Sequence, residues 1–490
     1  MRYLILLTFF IYFLSSCTVS KSYVADKKFS KEALQNDFHL MQNILQDKHP
    51  SLYWYTPKDS LDFYFNRSYA AIHDSMTELQ FGWQIIAPLL AQIRCGHTSL
   101  IMSKGWNKYI RNKRIPSFPY YMKIWSDTMV VTGNLNKKDS IIKIGTLITS
   151  VNGLSNKQLI GTMFNYLTLD GYETNFNYIR LSTNFPLYHR NIFGLYKGYA
   201  ITFLDSTGSQ KKAIIPLYYP PKDSTSKKKK DSTALIKKIP KVEKLNGVRS
   251  FKTDTLHHAG ILTINSFSNG HLKAFFRRTF KKLSKENIEN LVIDIRANGG
   301  GEITNYVALT RYIRNSNFKV SDTSMSVTKT TAPYKKYIRI GFFDRLGLLL
   351  LVHKRKDGLY HFPYWENHVY KPKKKDHFTG KTFVLTNGYT FSASSLFCNA
   401  VKGQQGVKLI GENTGGGWYG NNGILIPKIV LPETKLRIRL PLFRIVQYQH
   451  PTTKGTGVIP DIYVGPTIKA AVGNEDPKMN KAFELMKASQ

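Results

Sequence analysis

The sequence predicts a multidomain α/β (α+β) protein, with a helical N-terminal region, a β-rich middle region and an α/β region toward the C-terminus. Three observations support this fold class. Apolar residues recur at helical spacing before residue 94, short strand-like runs occupy residues 115–218, and apolar strands alternate with amphipathic helices after residue 256. The chain has 490 residues, which is too long for one hydrophobic core.

The N-terminus has the features of an export signal. Met1-Arg2 precedes an apolar run from Leu4 to Leu14, which is too short to span a bilayer but suits the core of a signal peptide. The following Leu14-Ser15-Ser16-Cys17 resembles the lipobox of bacterial lipoproteins, in which the Cys is acylated. We therefore expect a signal peptide at 1–16 and a lipidated tether at 17–28 that holds the protein in the bacterial cell envelope, facing the periplasm. The alternative is a plain secretory signal with an incidental Cys.

Residues 29–114 form the predicted helical region. Apolar residues follow a helical period in Phe29–Gln46 and again in Ser60–Ser75. A third helix is predicted from Thr77 to Ile93, with Thr77 as N-cap and Gln80 closing a capping box. Gly96 is the predicted helix breaker.

The remaining boundaries follow from changes in composition. Residues 115–218 are β-rich, and residues 219–250 are a charged, low-complexity linker with little apolar surface to bury. An α/β domain is expected at 251–466, with an insertion at 321–376 and a hairpin formed by Ile424–Leu431 and Lys435–Leu440. Residues 467–490 are predicted to be a C-terminal tail.

The net charge of +38 raises the question of nucleic-acid binding. The lysine tracts lie beside Asp, Ser, Pro or Thr, as in solvated loops, and no nucleic-acid-binding motif accompanies them. Attraction to an anionic membrane or envelope polymer fits this charge better. Cys95 and Cys398 are the only cysteines after Cys17, which excludes a disulfide framework, and no cluster with zinc-ligand spacing is present. We expect no metal, no cofactor and no nucleic-acid partner.

Ser392 follows a predicted strand and a tight turn, and it precedes a helix predicted over Ser394–Val401. The N–H groups of a helix N-terminus point outward at such a position. The hydroxyl can therefore be a nucleophile beside an oxyanion site, or it can be an ordinary N-cap. A second turn, Asn298-Gly299-Gly300-Gly301, ends the strand Leu291–Ile295. Its glycines allow backbone N–H groups to approach a ligand, or they meet the need for positive φ in a turn.

Taken together, these segments resemble the tail-specific, or C-terminal processing, serine peptidase family. The matching segments are Asp294–Gly301, Ser392–Ser395, Ile410–Gly416 and Gly455–Asp461. The resemblance implies a crotonase-like α/β peptidase core. It also implies that Ser392 is the nucleophile, and that the N–H groups of Ala393 and of Gly299 or Gly300 form the oxyanion hole.

The base predicted from this resemblance is a histidine. Members with a Ser–Lys dyad carry a Lys where this chain has Gly417, and no Lys lies between Lys408 and Lys428. The tricorn-like branch uses a His after the N-terminal helices, and His97 occupies that place. A neutral imidazole is a suitable general base near pH 7. The alternative for His97 is a helix-end His that binds backbone carbonyls, and no residue that would orient it is identifiable.

Residues Ile142–Gly153 resemble part of a PDZ module, which implies a PDZ-like domain at 115–218; a generic β-rich spacer is the alternative. The function implied is a serine-type endopeptidase that hydrolyses exported or envelope polypeptides near their C-termini. Its partners would be a peptide or unfolded-protein substrate and the membrane, through the lipid anchor. The alternative is a catalytically weak or inactive peptide-binding envelope lipoprotein on the same fold.

Overall fold

The computed structural model describes residues 23–111, 113–221 and 245–488. The predicted signal peptide, Cys17 and most of the linker at 219–250 lie outside these residues. The described chain combines helices with several sheets around four hydrophobic clusters. The predicted multidomain α/β fold is confirmed.

The N-terminal region is mainly helical, and most of its helices pack in one hydrophobic cluster, whereas Lys104–Arg111 buries no residue. Its helices are Lys31–Lys48, Lys58–Ala70, Glu78–Gln80, Phe81–Ile86, Ala87–Gln92 and Lys104–Arg111, and its short strands are Lys28–Phe29, Met76–Thr77 and Leu100–Ile101. The capping box of Thr77 and Gln80 is present as predicted.

The predicted third helix is interrupted. Residues Phe81–Ile86 form a π-helical turn just before Pro88. Because Pro88 has no N–H to donate, the regular α-helical ladder cannot continue through this point. The helix ends at Gln92, and Arg94 already leaves the helical conformation with φ 55°, so Gly96 is not the breaker. Gly96 is needed for space instead, since a Cβ there would lie 2.7 Å from the Phe391 ring.

Residues 115–218 form an antiparallel sheet with two helices and their own core. The strands are Tyr120–Trp125, Thr128–Asn134, Leu147–Val151, Leu154–Ser155, Gly198–Leu204 and Gln210–Pro216, and the helices are Asn156–Phe164 and Asn175–Phe193. The second helix is kinked at Asn184, two residues before Pro186. We refer to this unit as the β domain.

The C-terminal half is organised around a six-stranded sheet whose strands lie in chain order. The strands are Arg249–Asp254, Ala259–Ile264, Asn290–Asp294, Lys381–Thr386, Val407–Gly411 and Ile462–Tyr463. All neighbours pair in parallel except the first pair. Helices Leu272–Lys285, Ile303–Ile313 and Ala393–Val401 cover one face. Because adjacent parallel strands end at the same edge, the turns after Asp294 and Thr386 lie side by side.

Strands of the predicted insertion pair with strands from other parts of the chain. Strand Ser321–Ser326 pairs with Arg444–Gln447 and Tyr360–His361, in a small sheet completed by His353–Lys354 and Gly420–Asn421. A four-stranded sheet joins Ile338–Arg339, Lys428–Val430, Arg437–Arg439 and Leu100–Ile101. The predicted hairpin is the central pair of that sheet, with shorter strands than expected. Helices Phe342–Leu350 and Pro363–Asn367 complete the segment.

Residues 467–488 are not a loose tail. Helices Ile468–Ala471 and Pro477–Lys487 follow the last strand, and Ala482 and Met486 pack on the second face of the six-stranded sheet. Arg296 links this segment to the six-stranded sheet, because its guanidinium donates to both carboxylate oxygens of Asp476 and to Asp294. No helix among the described residues is both long and apolar enough to cross a membrane.

Candidate active site

Ser392 occupies a strained turn between a buried strand and a helix. The strand Lys381–Thr386 ends one turn before it, and the helix Ala393–Val401 begins immediately after it. Its backbone has φ 54° and ψ −124°, and its hydroxyl makes no capping hydrogen bond. An N-cap Ser has extended backbone and an occupied hydroxyl. The structure therefore argues against the cap interpretation, and the strained geometry is typical of a nucleophile presented at a sharp turn.

His97 is the hydrogen-bond partner of the Ser392 hydroxyl. The distance from its Nε2 to Ser392 Oγ is 3.1 Å, across 295 residues of sequence. The ring is 4% exposed and lies against Phe391, at 4.9 Å between ring centroids. Phe391 in turn stacks at 4.6 Å on Phe176 of the β domain. Packing on both sides of Phe391 thus fixes the plane of the imidazole.

The glycine turn lies against Ser392, at the adjacent strand end. A Cβ at Gly300 would lie 2.7 Å from Ser392 Cβ and 3.1 Å from the Ala393 nitrogen. The Gly300 N–H donates to Asn298 Oδ1 at 2.9 Å. Within the described residues, the N–H groups of Gly299 and Ala393 have no protein acceptor. Of the two glycines left open by the sequence, Gly299 is therefore the one whose N–H can donate to an oxyanion.

Asp170, from the β domain, is the acidic residue nearest to His97. Its Oδ1 lies 3.9 Å from His97 Nδ1, and the Asp170 side chain is 2% exposed. That separation is longer than a hydrogen bond, and Nδ1 has no other partner among the described residues. The carboxylate is held in place by the N–H of Gly96 at 2.8 Å and that of Gly417 at 3.4 Å. Asp170 is the residue that the sequence interpretation did not identify.

Glu173 stabilises the loop that carries Asp170. Its carboxylate accepts hydrogen bonds from Asn175, Asn413 and the backbone of Gly457. Gly457 lies in the segment that closes the six-stranded sheet. Glu173 therefore links the β domain to two segments that follow Ser392 in the chain, at Asn413 and at Gly457.

The loop after the fifth strand lies close behind Ser392. A Cβ at Gly416 would lie 2.4 Å from Ser395 Oγ and 2.8 Å from the Ser392 nitrogen. Gly417 faces Asp170, at the position where other members of the resembled family carry a Lys. The flanking Lys408 and Lys428 are exposed on strands. His97 is thus the basic group that contacts the Ser392 hydroxyl.

A cavity of about 350 Å³ opens beside Ser392. Its walls include Ile303, Leu396 and Ile445, with Trp365 and Asn421 among the polar groups. The Asn421 side chain is 1% exposed, and neither its Nδ2 nor its Oδ1 has a partner in the described chain. Trp365 Nε1 is likewise buried without an acceptor. The cavity combines apolar walls with buried, unsatisfied polar groups, and Glu302 and Thr304 line its exposed part. It is therefore suited to a ligand side chain that can form hydrogen bonds.

The ionisable groups packed behind His97 stay uncharged near neutral pH. Burial lowers the pKa of His49 to about 3, and its ring lies 2.8 Å from Thr98 Oγ1. Burial, with the nearby Asp170, raises the pKa of the Cys95 thiol to about 12. Cys95 and Cys398 are both free and buried. No group of three metal-ligating side chains occurs among residues 23–111, 113–221 and 245–488.

The fold and this site define a serine-type peptidase. Residues 258–464 match the model of Peptidase family S41. The whole described architecture is similar to solved structures of mature CPAF. The lactacystin complex of CPAF superposes with a TM-score of 0.64 at 14% identity, covering 94% of this chain and 98% of that one. Mature CPAF alone gives a TM-score of 0.61 at 14% identity, over 93% and 97%.

A putative peptidase from Parabacteroides merdae also matches, with a TM-score of 0.48 at 14% identity, over 94% of this chain and 98% of that chain. The family match ends before the C-terminal helices and begins after His97 and Asp170. Two of the three side chains at the site therefore lie outside the matched segment, and their roles depend on the geometry of this chain.

Proposed function

We propose that this protein is a serine endopeptidase of exported or envelope polypeptides, with Ser392 as nucleophile and His97 as general base. One observation carries the proposal: Ser392, in a strained backbone conformation that leaves its hydroxyl uncapped, lies 3.1 Å from the buried imidazole of His97. A serine and a base within hydrogen-bond reach are the minimal components of covalent acyl transfer.

The proposed reaction follows from the positions of the groups. In the tautomer that carries its proton on Nδ1, His97 accepts the Ser392 proton at Nε2 while Oγ attacks the substrate carbonyl carbon. The N–H groups of Gly299 and Ala393 stabilise the resulting oxyanion. The imidazolium returns the proton to the leaving amine, which breaks the peptide bond and leaves an acyl-enzyme. Water, deprotonated by the same imidazole, then releases the acid product.

Asp170 is the proposed positioning residue in this reaction. Its carboxylate faces Nδ1 of His97 and stabilises the imidazolium that forms when Ser392 loses its proton. The 3.9 Å separation is longer than a hydrogen bond, and catalytic contacts are commonly longer before substrate binds. Asp170 thus takes the role for which the N-terminal and C-terminal motifs offered no residue.

The proposed setting is the bacterial envelope. The apolar leader and Cys17 support a lipid-anchored protein that faces the periplasm, and its substrates would be exported chains in extended or unfolded form. The resemblance to tail-specific peptidases extends the proposal to cleavage near C-termini. The PDZ-like assignment of the β domain remains a prediction. Among the described residues, Gln210–Pro216 is an edge strand of its sheet, and a peptide strand can add to such an edge.

A second candidate is a peptide-binding lipoprotein with weak or no catalysis. The observation that favours it is the His97 Nδ1 atom, which is buried and lacks a hydrogen-bond acceptor among the described residues. A base that is not oriented accepts the serine proton less effectively. The same cavity and glycine turn would then hold a peptide without cleaving it.

Labelling with a serine-directed fluorophosphonate, together with cleavage of an unfolded protein, separates the two candidates. We expect both signals in the natural protein and neither in Ser392→Ala or His97→Ala. Ser394→Ala is the matched control, because Ser394 lies on the same turn with a buried, unpartnered hydroxyl. Cleavage that persists in Ser392→Ala would overturn the proposed nucleophile. Binding of peptide without any Ser392-dependent cleavage would favour the second candidate.

A further inference from the structure

The helix Phe342–Leu350 exposes its apolar side to solvent. Phe342 is 72% exposed, Phe343 83% and Leu350 62%. Leu346 and Leu349 fall on the same side by helical spacing, and they are 42% and 45% exposed. Together with Leu351, these residues form what we call the apolar stripe.

The opposite side of this helix is fixed to the protein. Leu348 and the following Val352 are each 3% exposed and belong to the hydrophobic cluster of the N-terminal helices. The helix is therefore a rigid platform rather than a loose segment that has failed to find a core. A contiguous apolar patch presented in this way is typical of a protein or membrane contact.

The charges around the apolar stripe favour an anionic surface. Exposed Lys335, Lys336 and Arg339 precede the helix, and exposed Lys354 and Lys356 follow it. The acidic residues of the same segment are Asp344 and Asp357. A second copy of this chain would place these basic flanks against each other, and the net charge of +38 adds to that repulsion. In an anionic bilayer, the lipid headgroups would pair with these basic residues, and the acyl chains would contact the apolar stripe.

The N-terminus leaves the described structure on this same side. Tyr23 and Val24 line one cavity, of about 1250 Å³, together with Arg339, Gly341 and Asp344 at the start of the helix. Tyr23 itself is held by a 2.7 Å hydrogen bond to Glu78. Cys17 is six positions earlier in the chain, a reach of at most about 20 Å. A bilayer that held Cys17 would thus lie within reach of the stripe.

We propose that the apolar stripe docks into the interfacial layer of an anionic lipid bilayer. Phe342, Phe343 and the leucines lie among the upper acyl chains, and the lysines on either side contact the headgroups. This contact goes beyond the proposed peptidase activity, since none of its residues lines the cavity beside Ser392.

Flotation with vesicles tests this contact without the lipid anchor. The chain from Thr18 to Gln490 keeps every described residue and lacks Cys17. We expect it to float with vesicles of phosphatidylglycerol and phosphatidylethanolamine, and less with pure phosphatidylcholine. The double variant Phe343→Ser/Leu350→Ser should lower the partition coefficient by about tenfold or more. Leu256→Ser is the matched control, because Leu256 is 80% exposed and distant in sequence from the stripe.

Melting curves followed by circular dichroism check that the variants fold. A loss of flotation in a folded variant is then assigned to the apolar stripe. Binding that is absent in the natural sequence, or unchanged in the double variant, would overturn the proposal. Concentration-dependent dimerisation that the double variant abolishes, without vesicle binding, would assign the stripe to a second copy and would also overturn it. None of these readouts uses catalysis, so failure here is distinct from failure of the proposed peptidase activity.

Discussion

Asp170 and His97 belong to different domains, yet their side chains lie 3.9 Å apart in a site where each is almost fully buried. Asp170 is in the β domain, and His97 follows the N-terminal helices. The Phe391–Phe176 stack joins the same two regions to the turn that carries Ser392. The active site is thus assembled where the N-terminal region, the β domain and the six-stranded sheet meet.

Asp170→Asn should lower kcat by about two to four orders of magnitude with little change in KM. The amide no longer stabilises the imidazolium, so the acidic limb of the kcat/KM profile should also move to lower pH. Steady-state kinetics across pH on an unfolded-protein substrate measures both effects. Asp170→Glu, which keeps the charge, should recover part of the rate.

Asp170 also binds the backbone of Gly96 and Gly417, so a structural effect needs its own control. Glu173→Gln serves here, because Glu173 holds the same loop but is not paired with His97. An equal loss of kcat in both variants, with an unmoved pH profile, would contradict the positioning role of Asp170.

Gly416→Ala should reduce activity strongly at nearly unchanged secondary structure. The added methyl group would lie 2.8 Å from the Ser392 nitrogen and 2.4 Å from Ser395 Oγ, so the turn that presents the nucleophile must shift. Displacement of a catalytic group by about 1 Å costs on the order of 100-fold in rate. Gly161→Ala is the control, since Gly161 is helical and a Cβ there meets nothing within 4 Å. A fully active Gly416→Ala would show that the turn tolerates the movement.

Asn421→Leu should change which substrates are cleaved. The buried amide lines the cavity and has no hydrogen-bond partner among the described residues, so a substrate side chain that hydrogen-bonds to it gains over an apolar one. We expect the ratio of kcat/KM for a Gln-containing peptide to that for its Leu counterpart to fall by about tenfold to a hundredfold. Thr304→Ala, at the exposed part of the same cavity, should leave the ratio unchanged. An unaltered ratio in Asn421→Leu would remove Asn421 from substrate recognition.

The protein should lose stability below about pH 6.5. Burial lowers the pKa of His49 to about 3, and that of His189 to about 4. Each depressed pKa means that the unfolded chain binds the proton first as pH falls, so stability is complete above the unfolded pKa and declines below it. Each His costs about 1.4 kcal/mol per pH unit below that point until its folded pKa is reached.

Thermal melting between pH 7.5 and 5.0 measures this decline. Nδ1 of His49 accepts the Ser51 N–H at 3.1 Å, so protonation would also break that bond. His49→Gln should melt lower at pH 7.5 but show a shallower dependence on pH. An unchanged slope would show that His49 is not the group that titrates.

The sequence was informative about Ser392 because its signals are local. An apolar strand, a turn and a helix start are adjacent in the chain, and the glycine run after Asp294 marks the neighbouring turn. Parallel pairing of the strands Asn290–Asp294 and Lys381–Thr386 then brings the two turns together. The C-terminal helix Pro477–Lys487 had comparable local signals, an N-cap Asp476 followed by Pro477, which indicate a helix rather than the predicted tail.

Asp170 carried no such signal. Its neighbours Leu169 and Gly171 form a short loop of the β domain, and its function depends on how that domain docks against His97. Likewise, the choice of Gly299 over Gly300 depends on the Asn298 side chain, which turns back to hold the Gly300 N–H. Neither contact can be predicted from the spacing of residues along the sequence, because each one depends on the tertiary structure.

The stacking of Phe391 between His97 and Phe176 has a consequence for the timing of activity. A nascent or translocating chain contains Ser392 and His97, but the imidazole has no fixed plane until the β domain has folded and brought Phe176 into place. The proposed hydrolase is therefore inert while it is itself an unfolded polypeptide. An unfolded copy of this chain therefore lacks the oriented base that the proposed cleavage of a peptide bond needs.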